Sequence, residues 1–544
     1  MNGSGHFQVE TRKEMTTPSA PEPPDSPPAN GERVHHAAAG AGEPAAASRV
    51  RPAPLNSFGA GALVFFNSAA VLVIEIVATR LMAPYVGVTL QTYTAIIGVV
   101  LAGIALGSWL GGLFADWLNP RKTLGPLLIV GGVLAMSVLP ITRVAGGLAE
   151  GQGSANILVL ALISFFWPAA VLSAINPTVV KLQLERLDQT GRIVGRLSAV
   201  ATAGAIFGTI LTGFVLLAWL PTSTIVISLG AGLIAAGIVV TARLTGWRAC
   251  FSSTGALSVI VLVGGLSLAA GSPCQRETAY FCANVVHAAP GSTDRVLVLD
   301  GIRQSYVDIE DPTHLRFSYT ERMADLINAF RPSRMPIRAL EIGGGGFTLP
   351  RYIAATRPGS SNVVLELDPN VVKIAREQLG LATGPRLHVQ VGDARVSLRT
   401  ERNHATDIVI GDAYAGRSVP WHLTTREFIS EIRRKLRAGG VYTMNCIDAG
   451  SLSFVRAAAA TLRSVFPYVA MEARFGALQA GIGENFVFFA SDEPLPLAAL
   501  IASARERRDG ETLEAGSSLA RFVEHAQVLR DDYAPVDQLI TRNG

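Results

Sequence analysis

Hydrophobic positions fall into two regimes along this chain of 544 residues. Between about Phe58 and Ala270 they form seven near-continuous runs, centred on 58–78, 91–114, 123–146, 155–179, 195–218, 222–242 and 253–271. Each run approaches the roughly 20 residues a helix needs to cross a bilayer. After Gln275 the runs shorten to strand length. AYFCANVV, RVLVLDG and QSYVDIE predict a small β unit with Gly301 in its turn, and Tyr319–Phe330 predicts a helix. Downstream, RALEI, VVLEL, LHVQV, DIVIG, GVYTMNC and NFVFFAS read as strands, and VVKIAREQLG and TREFISEIRRKLRAGG as helices between them. Such alternation predicts a mostly parallel sheet covered by helices on both faces. The fold expected is a multi-pass α-helical membrane domain followed by an α/β Rossmann-like domain with a small β subdomain at its start. The boundaries expected are 1–54 for a disordered tail, 55–272 for the helices, 273–335 for the β subdomain with its helix, and 336–544 for the α/β domain.

Composition sharpens this division. The chain is 49% hydrophobic and 16% charged, with a mean hydropathy of +0.35, too apolar for an ordinary soluble protein. Residues 1–54 are rich in Pro, Ala, Gly and Ser and hold too little apolar surface to offset ordering entropy. No apolar segment follows Met1 closely, so a signal peptide is not expected. The net charge of +4 is small, and no basic run with interleaved aromatics occurs, which excludes nucleic acid as a partner.

Within the apolar runs, frequent Gly and Ala, as in IIGVVLAGIALGSWLGGLFAD, predict close helix packing. Glu75 and Arg80 lie in the first run, in VLVIEIVATRLMAPYVG, and are expected to pair at the membrane edge. A transport role is the weaker reading, because Glu75 is the one acid inside the runs and no internal repeat is evident. Asn176-Pro177 marks a helix end or kink. Arg49, Arg51, Arg121, Lys122, Lys181, Arg186, Arg192, Arg243 and Arg248 fall on one side of the runs, and mainly Arg80 and Arg143 on the other. By the positive-inside rule the N-terminus is cytoplasmic, and seven spans place the C-terminal half outside. Cys274 and Cys282 flank QRETAYF directly after the last run. They can close a small disulfide loop in an oxidising compartment or stay as thiols in a reducing one. Cys250 and Cys446 read as packing residues, and no cysteine spacing resembles a zinc site.

Candidate chemistry sits at the predicted strand ends. Gly343, Gly344, Gly345 and Gly346 follow RALEI directly and permit close backbone approach to a ligand. Glu366 ends the next strand, where an acid takes ribose hydroxyls in such folds. Asp393 ends the third and can accept from an adenine amino group. Asp412 ends the fourth, beside the same crevice. Each acid alone is equally an N-cap or a solvated loop residue; acids at successive strand ends point to a nucleoside site. Asp412 is the expected catalytic base, and Tyr319 is expected to orient an amine or else to pack in the core.

ETAY, LVLDGIRQS, the glycine turn, LELDPN, VGDAR, VIGDAYAG with SVPWHLTTREF, and DDYAPVD together resemble the spermidine synthase (polyamine aminopropyltransferase) family in its membrane-fused form. The resemblance covers about residues 277–540 and the first apolar run. It implies a fold of the S-adenosylmethionine-methyltransferase type and a donor nucleoside, decarboxylated S-adenosylmethionine, bound by Gly343, Gly344, Gly345, Glu366, Asp393 and Ala394. It implies an amine acceptor met by Gln304, Tyr319 and Asp412, and no metal. The remaining partner expected is the lipid bilayer, with a homodimer allowed.

The pattern departs from the family on one side. Gly346 and Phe347 stand where the family has Asp-Gly, Thr320 where it has His, Phe281 where it has an early Gln, and Asp412-Ala413-Tyr414-Ala415-Gly416 lacks a second acid. The losses fall where a diamine is recognised, and a dication needs acids to offset its desolvation. Three functions follow: an aminopropyltransferase-like enzyme, a methyltransferase using S-adenosylmethionine with glycine amides holding the donor carboxylate, and a non-catalytic extracytoplasmic binding or sensing domain. The seven-span count and the cysteine pair favour the third, because sulfonium donors are cytoplasmic; the retained acids favour an enzyme.

Overall fold

The computed structural model describes residues 55–148, 154–184, 190–246, 263–267, 269, 272–414, 416, 418–508 and 510–541. The expected tail, Cys250 and most of the seventh apolar run lie outside the described residues.

Six helices are long and apolar enough to cross a membrane by length and composition: α1 (Ser57–Val86), α2 (Leu90–Trp117), α3 (Pro120–Leu148), α4 (Ala155–Gln183), α5 (Thr190–Trp219) and α6 (Thr222–Thr245). α4 breaks at Ala174, one turn from Asn176-Pro177, and resumes at Ile175. Glycines set the packing distances. An added Cβ at Gly103, Gly107 or Gly111 of α2 would come within 2.7, 1.9 or 2.5 Å of the α4 backbone. Only residues without a side chain let two helix backbones approach this closely.

The helices alternate in direction between two ends of the bundle. Asp116 near the end of α2 pairs with Lys181 near the end of α4, and Gln183 donates to the Leu55 carbonyl. Gly125 near the start of α3 meets Thr241 near the end of α6. At the other end, Gly146 of α3 packs on Tyr85 of α1. Arg80 does not pair with Glu75 as the sequence suggests. Its guanidinium reaches out of the bundle and donates to the carbonyls of Thr278, at 3.1 Å, and Tyr280. Two carbonyls fixed by a loop satisfy the charge-bearing donors better than one helical carboxylate five residues back, which lies on a different face.

The polar half begins at Ser272, whose hydroxyl donates to Glu277, and Glu277 accepts from the backbone N–H of Thr222 at the start of α6. Gly246, at the end of α6, and Ser272 therefore lie at opposite ends of a 24-residue helix, about 36 Å apart along its axis. The helical residues 263–267 sit between them, with the Ser267 hydroxyl 3.0 Å from the Met136 carbonyl in mid-α3.

Four antiparallel strands form the small sheet, in the order β1 (Arg276–Glu277), β2 (Cys282–His287), β3 (Arg295–Leu299) and β4 (Ile302–Val307). Asp300 and Gly301, both at positive φ, make the two-residue turn between β3 and β4. A disulfide joins Cys274 to Cys282, Cα atoms 5.1 Å apart, and closes the loop that Arg80 holds.

Next comes α7 (Ser318–Ala329), then an eight-stranded sheet in the order β12-β10-β11-β9-β8-β5-β6-β7. Its parallel centre is β5 (Arg338–Ile342), β6 (Ser361–Glu366), β7 (Leu387–Val391), β8 (Thr406–Gly411) and β9 (Leu436–Asp448); β10 (Tyr468–Arg474), β11 (Glu484–Ser491) and β12 (Glu511–Ala515) add an antiparallel edge. Alternating side chains serve two cores. Leu340, Ile342 and Val409 pack with Phe428 and Phe454 on one face, and Ala339, Ile408 and Ile410 with Met323 and Ile327 of α7 on the other. This is the Rossmann-like architecture expected. Three details differ: the helix after Thr425 stops at Lys435, so that LRAGG joins β9, and β10 and β12 join the sheet without having been read as strands. Gly439 at φ +67 and the β-prone Val441, Tyr442 and Thr443 that follow favour extension over helix there.

Candidate active site

The sheet reverses its order between β5 and β8, and the predicted residues converge at that switch point. Glu366 is buried at the end of β6. Its Oε2 accepts from the Gly344 and Gly345 N–H groups, at 2.8 and 3.2 Å, and its Oε1 from Asp368 at 2.9 Å. Burial pushes its carboxyl up, and these three backbone donors oppose the shift. Gly343, at φ +92, leaves no room for a side chain, because a Cβ would lie 2.4 Å from the Asp412 carbonyl oxygen.

The glycine turn departs from the family sequence for a visible reason. A Cβ on Gly346 would meet the Ser305 Cβ at 2.7 Å, and the Gly346 N–H donates to the Ser305 hydroxyl at 2.9 Å. β4 thus occupies the place of the missing acid. Phe347 takes the left-handed conformation at φ 58 that glycine would favour, fully buried, its ring against Gly344. The amides of residues 344, 345 and 346 are all engaged within the protein, which removes the anion cradle that a donor carboxylate would need.

Asp393 caps the short helix Ala394–Leu398 through Val396 N–H at 3.1 Å, and its second oxygen lies 3.0 Å from His422 Nε2. A narrow cavity of about 120 Å³ brings Gly343, Gly345, Glu366, Asp393, Ala394 and Asp412 together. Asp412 follows β8, half-buried, and accepts from Asn445 Nδ2 at 3.0 Å. Tyr319 of α7 is buried with its hydroxyl beside the Asp412 carboxylate and 3.5 Å from the Gln304 carbonyl. Burial pushes Asp412 up to about 6, against the hydrogen bonds of Asn445 and Tyr319, which lower it. Burial, then the Asp412 charge, pushes the Tyr319 hydroxyl well above the ordinary phenol range.

Beyond Asp412 opens a second cavity of about 790 Å³ that includes Gln304, Tyr319, Gly344 and Asn445. Gln304 Nε2 donates to the Gly416 carbonyl at 3.3 Å, so it braces the wall. Sequence reasoning missed Asn445, His422, Ser305 and Glu341. Ser305 and His422 lie within LVLDGIRQS and SVPWHLTTREF but pointed to no role there, and Asn445 lies in a strand remote in sequence from Asp412. Glu341 alternates with core residues inside RALEI, is 5% exposed, and has one oxygen without a partner among the described residues. Burial, then Asp412 and Glu366, push its carboxyl well above the usual range. Away from this crevice, Asp294, Asp308 and His314 bring donor atoms within 4.8 Å of one another.

A doubly wound sheet with acids at successive strand ends defines a Rossmann-like α/β domain, a fold that binds ligands at its switch point. Residues 316–474 match the model of the spermine/spermidine synthase domain. A polyamine aminopropyltransferase of Vibrio vulnificus is 33% identical over 171 residues, covering 30% of this chain and 55% of that protein. Polyamine aminopropyltransferase 2 of Streptomyces coelicolor is 26% identical over 508 residues, 87% of both chains. A probable spermidine synthase from Corynebacterium glutamicum, 26% identical, covers 47% of this chain and 95% of its own, with a TM-score of 0.44. Residues 316–474 thus resemble a spermine/spermidine synthase domain, and the chain spans about half the length of the Vibrio vulnificus relative.

Proposed function

We propose that this chain is a membrane-anchored aminopropyltransferase that moves the aminopropyl group of decarboxylated S-adenosylmethionine to a primary amine. The carrying observation is Asp412, a half-buried carboxylate pushed up to about 6 where the two cavities meet. The narrow cavity takes the nucleoside, with Glu366 on the ribose and Asp393 on the adenine amino group. The wide cavity takes the amine. Asn445 Oδ1, buried and unpartnered among the described residues, accepts one amine hydrogen, and Tyr319 holds Asp412 from the other side. The amine lone pair forms the new C–N bond as the C–S bond breaks. That bonding pair stays on sulfur and leaves methylthioadenosine, while the proton passes to Asp412. The engaged glycine amides favour a donor without a carboxylate over intact S-adenosylmethionine.

The six long apolar helices form the anchor in this reading, and the described ends of the bundle support an extracytoplasmic catalytic domain. Lys181 and Arg121 lie at the end opposite Arg80 and the disulfide loop. That placement also favours a second reading, a binding or sensing domain that does not turn over.

Detergent-purified full chain, given each sulfonium donor with a panel of amines, tests both. Release of methylthioadenosine, lost in Asp412→Asn, is expected. Release of S-adenosylhomocysteine alone would make it a methyltransferase, and nucleoside binding without turnover would make it a sensor.

A further inference from the structure

The wide cavity carries a charge pattern that a diamine does not fit. Four arginines line it, Arg303, Arg316, Arg474 and Arg507, against two carboxylates, Glu321 and Asp412. Two of the four are engaged. Arg507 binds Asp325, Glu472 and Glu511, and Arg474 lies 3.5 Å from Glu484. The other two have no carboxylate within ion-pair distance among the described residues. Arg316 leans over the Tyr306 ring, 5.7 Å from its centroid, and Arg303 extends from β4 beside Gln304. Both are solvent-exposed and both line the cavity, as Asp412 and Asn445 also do.

A second cation entering past two guanidinium groups without a carboxylate partner would be repelled, and beyond Asp412, which the first amine takes, Glu321 is the one carboxylate lining the cavity among the described residues. An anionic group at the same place gains two planar donors suited to carboxylate or phosphate. We infer that the acceptor is a primary amine that carries a carboxylate or phosphate, its amine at Asp412 and Asn445 and its anionic end at Arg303 and Arg316. This rests on the transferase reading and replaces the diamine as the expected acceptor.

The cavity's position gives two sources for such a molecule. A Cβ on Gly301, one residue before the cavity-lining Ile302, would lie 2.9 Å from the Pro84 carbonyl, and one on Gly416 would lie 3.9 Å from the Val88 nitrogen. The wall therefore rests on the turn between α1 and α2, where a bilayer spanned by these helices would end. A soluble amino acid and the headgroup of an aminophospholipid present the same chemistry there.

The test compares putrescine with 4-aminobutyrate, which exchanges one amine of the same chain for a carboxylate, and with phosphoethanolamine. Their binding to the full chain in nanodiscs is measured with methylthioadenosine bound. The expected result is that both anionic amines bind about tenfold or more tighter than putrescine. Arg303→Ala combined with Arg316→Ala should erase that preference, leaving methylthioadenosine affinity unchanged. Arg303→Lys with Arg316→Lys should restore part of it. Putrescine binding as tightly as 4-aminobutyrate, or a preference that survives loss of both arginines, would overturn the inference. A chain that does not bind methylthioadenosine would instead sink the transferase reading. Competition by phosphatidylethanolamine nanodiscs, absent with phosphatidylcholine, assigns the acceptor to a headgroup; no competition from either assigns it to a soluble amine, and both results support the anionic class.

Discussion

The two cavities that meet at Asp412 are built on different principles. The narrow one is lined by residues at the ends of consecutive parallel strands, and its acids are fixed by backbone donors: Glu366 by the glycine turn, Asp393 by its own helix. The wide one is assembled from β4, α7, β9, β10 and the loop after β8, and its charges are side-chain arginines. A group held by backbone cannot change without moving the sheet, whereas a rim arginine can be exchanged at little cost to folding. In the proposed reading the nucleoside side therefore keeps the residues of the family the chain resembles, and the acceptor side departs from them. Specificity is written where the scaffold is least involved.

The comparison breaks most sharply at Asp412, the one carboxylate among the described residues that lines both cavities. Asp412→Asn keeps the size and the Asn445 contact but removes the base, and turnover should fall about a thousandfold or more with methylthioadenosine affinity retained. Single-turnover kinetics beside equilibrium binding reads both. A comparable loss of affinity would mean that Asp412 belongs to the nucleoside side alone.

Gly343→Ala tests the backbone-built side. The added Cβ meets the Asp412 carbonyl at 2.4 Å in a left-handed conformation, and about 2–4 kcal/mol of stability should go. Chemical denaturation of the detergent-solubilised chain measures this, and an unchanged midpoint would show that the β5–β8 crevice relaxes freely.

Glu366→Gln should weaken methylthioadenosine binding by about 10- to 100-fold, since the charged acceptor of three N–H groups becomes a neutral amide with one oxygen. Titration calorimetry checks it, with 4-aminobutyrate affinity as the internal control expected to stay constant.

A smaller effect separates the two walls by pH. Asp412 works as a base only when ionised, so kcat/KM should fall as pH drops below about 6. The Asn445 N–H stabilises the charged form; Asn445→Ala should move this acid limb to higher pH. A limb that stays in place would remove Asn445 from the proton step.

Smallest is Arg80→Ala, which frees the carbonyls of Thr278 and Tyr280 at the bundle end. It should cost about 1–2 kcal/mol in thermal unfolding and leave nucleoside affinity untouched.

Periodicity alone determined much of this protein. The apolar runs marked each of the six described helices, because a helix that is apolar all round leaves its length in the sequence. The Asp300-Gly301 turn, the strands β5 to β8 and the acids at their ends were equally legible, since strand, glycine turn and acid are contiguous in the chain. Tertiary structure decided what contiguity does not carry. Arg80 bonds across 200 residues to Tyr280, where spacing suggested Glu75. Cys274 and Cys282 are joined because β1 and β2 pair and bring them together. Asn445 reaches Asp412 because β9 lies beside β8, and Arg303 and Arg316 share a cavity because β4 and α7 close over the switch point. Local pattern fixes an element, since its hydrogen bonds and exposed faces involve neighbours in the chain. Which side chains face one another depends on how the elements pack, and only burial of their shared apolar faces settles that.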